Sequence, residues 1–173
     1  AGVTRRFSRL GEALGLDSVE LRTESFQDFD AGDDRFDVLF LHAVINHLDE
    51  SATTQIGRSE AARQTYRSLF SKLAATGAPG AKLIACDATP NHLFAHLPIK
   101  NPLQPQIEWE KHQTPETWAR LLGDAGFSDP RIRWNSINTL RRPGRLLFGN
   151  RVGAWVLDGS FCLTMTLKPA RAI

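Results

Sequence analysis

The apolar residues of this chain follow two spacings, one typical of helices and one typical of strands. Recurrence every three or four residues predicts helices at Val3–Leu16, along a stripe that ends at Leu73, and after Thr114. Continuous or alternating apolar runs predict five strands. The predicted strands are Val19–Thr23, Phe36–Leu41, Lys82–Cys86, Arg131–Ile137 and Phe161–Leu167.

Helices and strands alternate over most of the chain, which predicts an α/β fold with a largely parallel sheet and helices on both faces. The last two strands both alternate and are expected to pair antiparallel. Ligands of such sheets bind outside the carboxyl ends of the strands. His42, Asn46 and His47 follow the apolar run Phe36–Leu41. They are therefore expected at a site.

Residues 88–113 interrupt the alternation with several prolines and with His92, His96 and His112. We expect an irregular excursion with one helical turn near the sequence HLFAHL. Thr114 and Pro115 then have the residue types of a helix N-cap and first turn. Because long irregular segments are often functional, this excursion is predicted to cover a ligand pocket. A proline-rich surface loop that only covers the sheet is the alternative.

Charge and composition narrow the classes of partner. The formal net charge is +2, with 21 basic against 19 acidic residues and no basic block, which argues against a nucleic-acid partner. No apolar run approaches the roughly 18 residues of a membrane span, so no membrane is expected. Cys86 and Cys162 each lie in an apolar run, which favours buried free thiols, a reducing compartment and a cytoplasmic location.

Four stretches carry a resemblance to one family. FDVLFLHAVINHLDE resembles the fourth-strand motif of class I S-adenosylmethionine-dependent methyltransferases of the small-molecule type. LAATGAPGAKLIACD is similar to their segment of turn, fifth strand and Asp. PETWARLLGDAGF resembles the helix before their sixth strand, and RIRW with FCLTMTL resembles their antiparallel last pair.

The resemblance implies a doubly wound, Rossmann-like methyltransferase sheet whose family strand order is 3-2-1-4-5-7-6. This chain would hold strands 3, 4, 5, 7 and 6, without the first two strands and their glycine-rich loop. A gap in the middle of a sheet leaves backbone groups unpaired, which is costly. We therefore expect residues 1–173 to be a partial methyltransferase domain, inactive alone, completed by an N-terminal segment or a partner chain.

The resemblance also implies a function and a cofactor. The protein would transfer a methyl group from S-adenosylmethionine to a small-molecule acceptor, with proximity and alignment supplying most of the rate. Adenine is expected near three residues after the third strand, Glu24, Ser25 and Phe26. The methionine end is expected near three residues that leave the fourth strand, Leu41, His42 and Ala43.

His47 is the candidate general base, because a neutral imidazole can accept an acceptor's proton near neutral pH. A structural His47 that packs the following turn is the alternative. Trp109 and His112 are candidate acceptor contacts. Arg141 and Arg142 could hold an acidic acceptor or be solvated charges. The histidine spacings match no recognised ligand set, so no metal site is predicted.

Two alternatives stay open from the sequence. A non-catalytic methyltransferase-like subunit could keep the fold and lack the cofactor loop. Another nucleotide-binding α/β enzyme is the third interpretation, because the fold alone does not fix the function.

Overall fold

A computed structural model describes residues 7, 9, 11–15, 18–97, 99–102, 104–135, 149–157 and 159–169. The chain divides into two compact units, Ala1–Asp30 and Ala31–Ile173. In the first unit residues 11–14 are helical and Gly15 has a φ of +61°, the left-handed conformation common after a helix. These residues confirm the end of the predicted N-terminal helix.

The predicted strand at Val19–Thr23 is wrong, since these residues form no strand. A strand is stabilised by backbone pairing with a neighbour and by burial of one face. No strand is described elsewhere in the first unit, and Val19 is 46% exposed. The alternation of Val19 and Leu21 therefore lacks both sources of stability.

The second unit is built on a four-stranded mixed sheet. Its strands are β1 (Phe36–His42), β2 (Gly77–Ala88), β3 (Phe127–Trp134) and β4 (Ser160–Leu167), in the order β1-β2-β4-β3. β1 runs parallel to β2, and β4 runs antiparallel to both of its neighbours. This order confirms the predicted order of the last four strands and the antiparallel pairing of the final two.

The helices of the second unit agree with the capping signals of the sequence. They are α1 (Glu50–Thr53), α2 (Glu60–Thr76), α3 (Leu93–His96), α4 (Pro115–Asp124) and α5 (Arg151–Leu157), with 3-10 turns at Ile45–His47 and Trp109–Lys111. The Ser59 and Thr114 hydroxyls accept hydrogen bonds from first-turn amides of α2 and α4, both at 3.2 Å. None of these helices, nor any other described one, could span a membrane.

The core lies between one face of the sheet and the helices α2 and α4. Leu83, Leu163 and Trp118 are fully buried there, and along β4 fully buried residues on this face alternate with half-buried ones on the other. On β1, Val38 and Phe40 are 55% and 60% exposed. The prediction that β1 is covered on both faces is wrong for the described residues, because an apolar run marks a strand but not what covers it.

A buried aromatic group joins the two core helices to the turn after β1. Tyr66 and Phe70 of α2 pack against Trp118 of α4, with ring centroids 5.1 to 6.0 Å apart. The Tyr66 hydroxyl lies 3.1 to 3.3 Å from the carbonyl oxygens of Ile45, Asn46 and Asp49 and also contacts the Thr53 hydroxyl. It therefore holds this turn against α2.

Removing that hydroxyl should destabilise the protein. We expect Tyr66→Phe to lower the free energy of unfolding by about 1–3 kcal/mol, because buried carbonyls lose a donor. Thr65→Val is the matched control, since Thr65 donates on the exposed side of the same helix and its change should stay within about 0.5 kcal/mol. Urea denaturation measures both variants, and equal losses would contradict this role of Tyr66.

Candidate functional site

The carboxyl ends of β1 and β2 lie side by side, because these strands are parallel neighbours. Directly after β1, Ala43 has a φ of +50°, a left-handed conformation that is uncommon for residues other than glycine. The Ala43 amide donates to the Cys86 carbonyl at 2.8 Å. This sharp exit turns the chain from the strand into the 3-10 turn Ile45–His47.

Asn46 is a buried polar residue of this turn. Its carbonyl accepts a hydrogen bond from the Thr53 hydroxyl at 2.7 Å, and its side chain is completely buried. Asn46 Nδ2 lies 3.5 Å from His112 Nε2, while its Oδ1 meets no partner among the described residues. The amide is therefore fixed with one edge toward a histidine.

Asp87 is the second buried polar residue, near the end of β2. Its Oδ1 accepts from the Ala88 amide at 2.8 Å and lies 3.2 Å from His112 Nδ1. Its Oδ2 has no partner in the described part of the chain. A buried carboxylate is costly to leave uncompensated, and the Ala88 amide supplies the hydrogen bond to Asp87 that the described residues provide.

The Asp87–His112–Asn46 cluster places a nearly buried imidazole between a carboxylate and an amide. His112 Nδ1 lies 3.2 Å from Asp87 Oδ1, within ion-pair distance, but it forms no hydrogen bond with a described residue. The His112 side chain is 11% exposed and that of Asp87 only 2%. The arrangement is chemically that of a proton acceptor positioned by a carboxylate.

Three contacts hold the segment that carries His112. The Lys111 ammonium lies 2.7 Å from a Glu50 carboxylate oxygen, and Gln113 donates to the Thr53 carbonyl at 2.9 Å. The Trp109 ring lies 4.0 Å from the buried His92 ring and 5.8 Å from His112. The end of the excursion 88–113 is thus bonded to α1, and the ring of Trp109 packs against those of His92 and His112 there.

His47 takes part in a separate, exposed set of charges. Its Nδ1 lies 2.7 Å from Glu50, and the His47 side chain is 45% exposed. Hydrogen bonds from Lys111 and, second, from His47 lower the pKa of Glu50. Glu50 therefore links His47 to the segment of His112, although the structure does not test His47 as a base.

The predicted cofactor residues fall in both units, and their role stays a prediction. In the second unit, Leu41 is half-buried, His42 is exposed and Ala43 forms the exit described above. In the first unit, Glu24 pairs with Arg22 at 2.7 Å and Ser25 donates to Asp28 at 2.6 Å. Phe26 is half-buried. Arg141 and Arg142 lie outside the described residues.

Asn46 was expected at a site from its position after the apolar run Phe36–Leu41, whereas Asp87 was not. The signal for Asp87 was present, since it ends the run KLIACD. A polar residue directly after a buried strand marks the sheet edge where ligands bind. Their burial and their contacts with His112 became visible only in three dimensions.

Cys86 offers no competing nucleophile. Cys86 and Cys162 are directly opposed in β2 and β4, and both are free and half-buried. Burial and the adjacent Cys162 thiol raise the pKa of Cys86 to about 12, so it is a neutral thiol at pH 7. Among the residues that the structure describes, no group of three metal-ligating side chains occurs.

The sequence matches no family model and no curated protein. Solved structures do match, at low identity. A S-adenosylmethionine-dependent methyltransferase from Thermotoga maritima has a TM-score of 0.55 at 12% identity, covering 92% of this chain and 70% of its own. The carbon methyltransferase DszA has a TM-score of 0.54 at 12% identity, covering 99% of this chain and 39% of its own.

The [4+2]-cyclase SpnF also matches, with a TM-score of 0.55 at 12% identity over 94% of this chain and 61% of its own. These likenesses show the fold, which is that of S-adenosylmethionine-dependent methyltransferases. The chain spans between 39% and 70% of the length of the three proteins. A shared fold does not identify the reaction.

The ion pairs that Glu50 forms with Lys111 and His47 can be tested by titration. We expect Lys111→Met to raise the pKa of Glu50 toward its ordinary value, because the ammonium that favours the ionised carboxylate is removed. Carbon-detected NMR of the Glu50 carboxyl during a pH titration measures the change. Lys82→Met, on a sheet strand, is the control. An unchanged Glu50 titration in Lys111→Met would contradict the ion pair.

Proposed function

We propose that the protein transfers a methyl group from S-adenosylmethionine to a small-molecule acceptor, with His112 as the group that accepts the acceptor's proton. The observation that carries this proposal is the Asp87–His112 contact of 3.2 Å at the carboxyl ends of parallel strands. The fold supports the cofactor class. The buried carboxylate supports a proton-transfer role for the histidine beside it.

The residues at the β1 exit fit a cationic cofactor end. Backbone carbonyls lie at a strand end, and Asp87 has a carboxylate oxygen that no described residue uses. Both are acceptors, which suit an ammonium or a sulfonium better than an anion. Leu41, His42 and Ala43 would hold the methionine end through their backbone. The adenine contacts of Glu24, Ser25 and Phe26 follow from the family resemblance alone.

S-Adenosylmethionine, when bound, supplies an electrophilic methyl group. The chain itself positions the acceptor, excludes water and removes a proton. The hydroxyl, amine or acidic carbon of the acceptor would lose its proton to His112 Nε2, where it would take the place of the 3.5 Å contact with Asn46 Nδ2. The Asp87 carboxylate, 3.2 Å from Nδ1, would stabilise the resulting imidazolium charge, and the excursion 88–113 would cover the acceptor.

His47 is the second candidate for the base. Its exposure and its pairing with Glu50 make it better suited to the rim of a site than to a desolvated proton transfer. Because the two histidines lie in different surroundings, substitution of each separates their roles.

We expect His112→Ala in the full-length protein to lower turnover by about 10²–10⁴-fold while the dissociation constant for S-adenosylmethionine stays unchanged. Asp87→Asn should also lower turnover, because the amide no longer stabilises the imidazolium. His47→Ala should change turnover little. Formation of S-adenosylhomocysteine with a panel of small phenols, amines and carboxylic acids measures turnover, and calorimetry measures cofactor binding.

Two outcomes would contradict the proposal. A large loss in His47→Ala with normal His112→Ala would move the base to the exposed histidine. Failure of the folded full-length protein to bind S-adenosylmethionine would favour a non-catalytic subunit. Melting temperatures of all variants distinguish lost chemistry from lost folding.

A further inference from the structure

The two cysteines of the sheet lie directly opposite each other. Cys86 of β2 and Cys162 of β4 are register partners, and the pairing of residues 82–88 with residues 160–166 contains no bulge. Directly opposed Cα atoms of antiparallel strands are about 4.5 or 5.5 Å apart, depending on the kind of pair. Cysteines joined by a disulfide have Cα separations of about 4.4–6.8 Å. The strand register therefore holds the two cysteines at bridging distance.

Both thiols lie on the face of the sheet that points away from the core. The residues before and after each cysteine along its strand are buried, whereas Cys86 and Cys162 are half-buried and free. The same row continues with His42, opposite Cys86 on β1, and with Arg133, opposite Cys162 on β3, and both of these residues are exposed. In the described part of the chain, a small reagent can therefore reach the cysteine pair from this face.

We propose that Cys86 and Cys162 are a reversible redox pair, which a small disulfide such as glutathione disulfide oxidises to a bridge between β2 and β4. One cysteine thiol loses its proton and attacks a sulfur of the small disulfide, which releases one small thiol and leaves a mixed disulfide. The second cysteine attacks the protein sulfur of that mixed disulfide and releases the second small thiol. Two protein S–H bonds are replaced by one S–S bond, and two electrons and two protons leave on the small thiols.

The position of the pair in the sheet favours a bridge that is easily reduced again. Directly opposed Cβ atoms of antiparallel strands are about 4.5–5.5 Å apart, whereas a disulfide needs about 3.5–4.5 Å. β2 and β4 are inner strands, paired on their other sides with β1 and β3, so they resist a closer approach. Strained disulfides are the labile and regulatory ones. Cys86 directly precedes Asp87, but the redox inference does not rest on the proposed methyl transfer.

Equilibration of the folded full-length protein with glutathione disulfide tests the pair. Burial and the adjacent Cys162 thiol raise the pKa of Cys86 to about 12, so exchange is slow and the end point is measured instead of the rate. Trypsin releases the two cysteines in peptides 83–100 and 152–171, which a bridge joins in mass spectrometry. We expect joined peptides to exceed singly glutathionylated ones at least about tenfold, because the second exchange is intramolecular. Dithiothreitol should restore both thiols.

A variant with Cys162→Ser and Thr164→Cys is the matched control. Thr164 is half-buried on the same face of β4, but its register partner is Ile84 and not Cys86. Diagonal neighbours on antiparallel strands are about 7–8 Å apart, and cysteines with Cα atoms more than about 7 Å apart are not bridged without backbone movement. This variant keeps two thiols on one face and should yield at least about tenfold fewer joined peptides than the unaltered protein.

Three results would overturn the proposal. Glutathione on single cysteines without joined peptides would show that the register does not allow a bridge. Two unmodified cysteines at equilibrium would show that the pair is not redox-active. Equal amounts of joined peptides in the diagonal variant would show that chain flexibility, and not the direct opposition of Cys86 and Cys162, brings the thiols together. Circular dichroism before oxidation verifies that both proteins are folded.

Discussion

The buried hydroxyl of Tyr66 is the constraint on which the site depends. It lies among three backbone carbonyls of the turn after β1, and burial raises its pKa to about 12, so it stays a hydrogen-bond donor at all ordinary pH values. The same turn carries Asn46, and the carbonyl of nearby Thr53 accepts a hydrogen bond from the Gln113 side chain. One hydroxyl in the core thus sets the position of two segments that meet at His112.

The sequence predicted the elements of the second unit well because their signals are local. Thr114 and Pro115 mark a helix start by their own chemistry, and Gly77 follows the last residue of α2. Val19–Thr23 failed because a strand depends on a neighbour that no local signal identifies. The exposure of Phe40 escaped prediction for the same reason, since the covering of a sheet face depends on distant residues.

Some residues of the candidate site could be named from the sequence, but their contacts could not. The end of Phe36–His42 was expected to lead to a functional region, and the structure places Asn46 there beside Asp87 and His112. His112 and Asp87 are separated by 25 positions, including the irregular excursion. No spacing rule brings them together, because their contact depends on the path of that excursion across the strand ends.

The strand order also determines when the sheet can be completed during synthesis. β4 is the last described strand in chain order, yet it lies between β2 and β3. When β3 leaves the ribosome, its pairing partner has not been made, so its backbone donors and acceptors must wait in water or in non-native contacts. Nearly all pairings of the sheet are distant in sequence, which is typical of slow folding. Among the described strands, β4 therefore joins β3 to the rest of the sheet, and until β4 is made both β2 and β3 lack this partner.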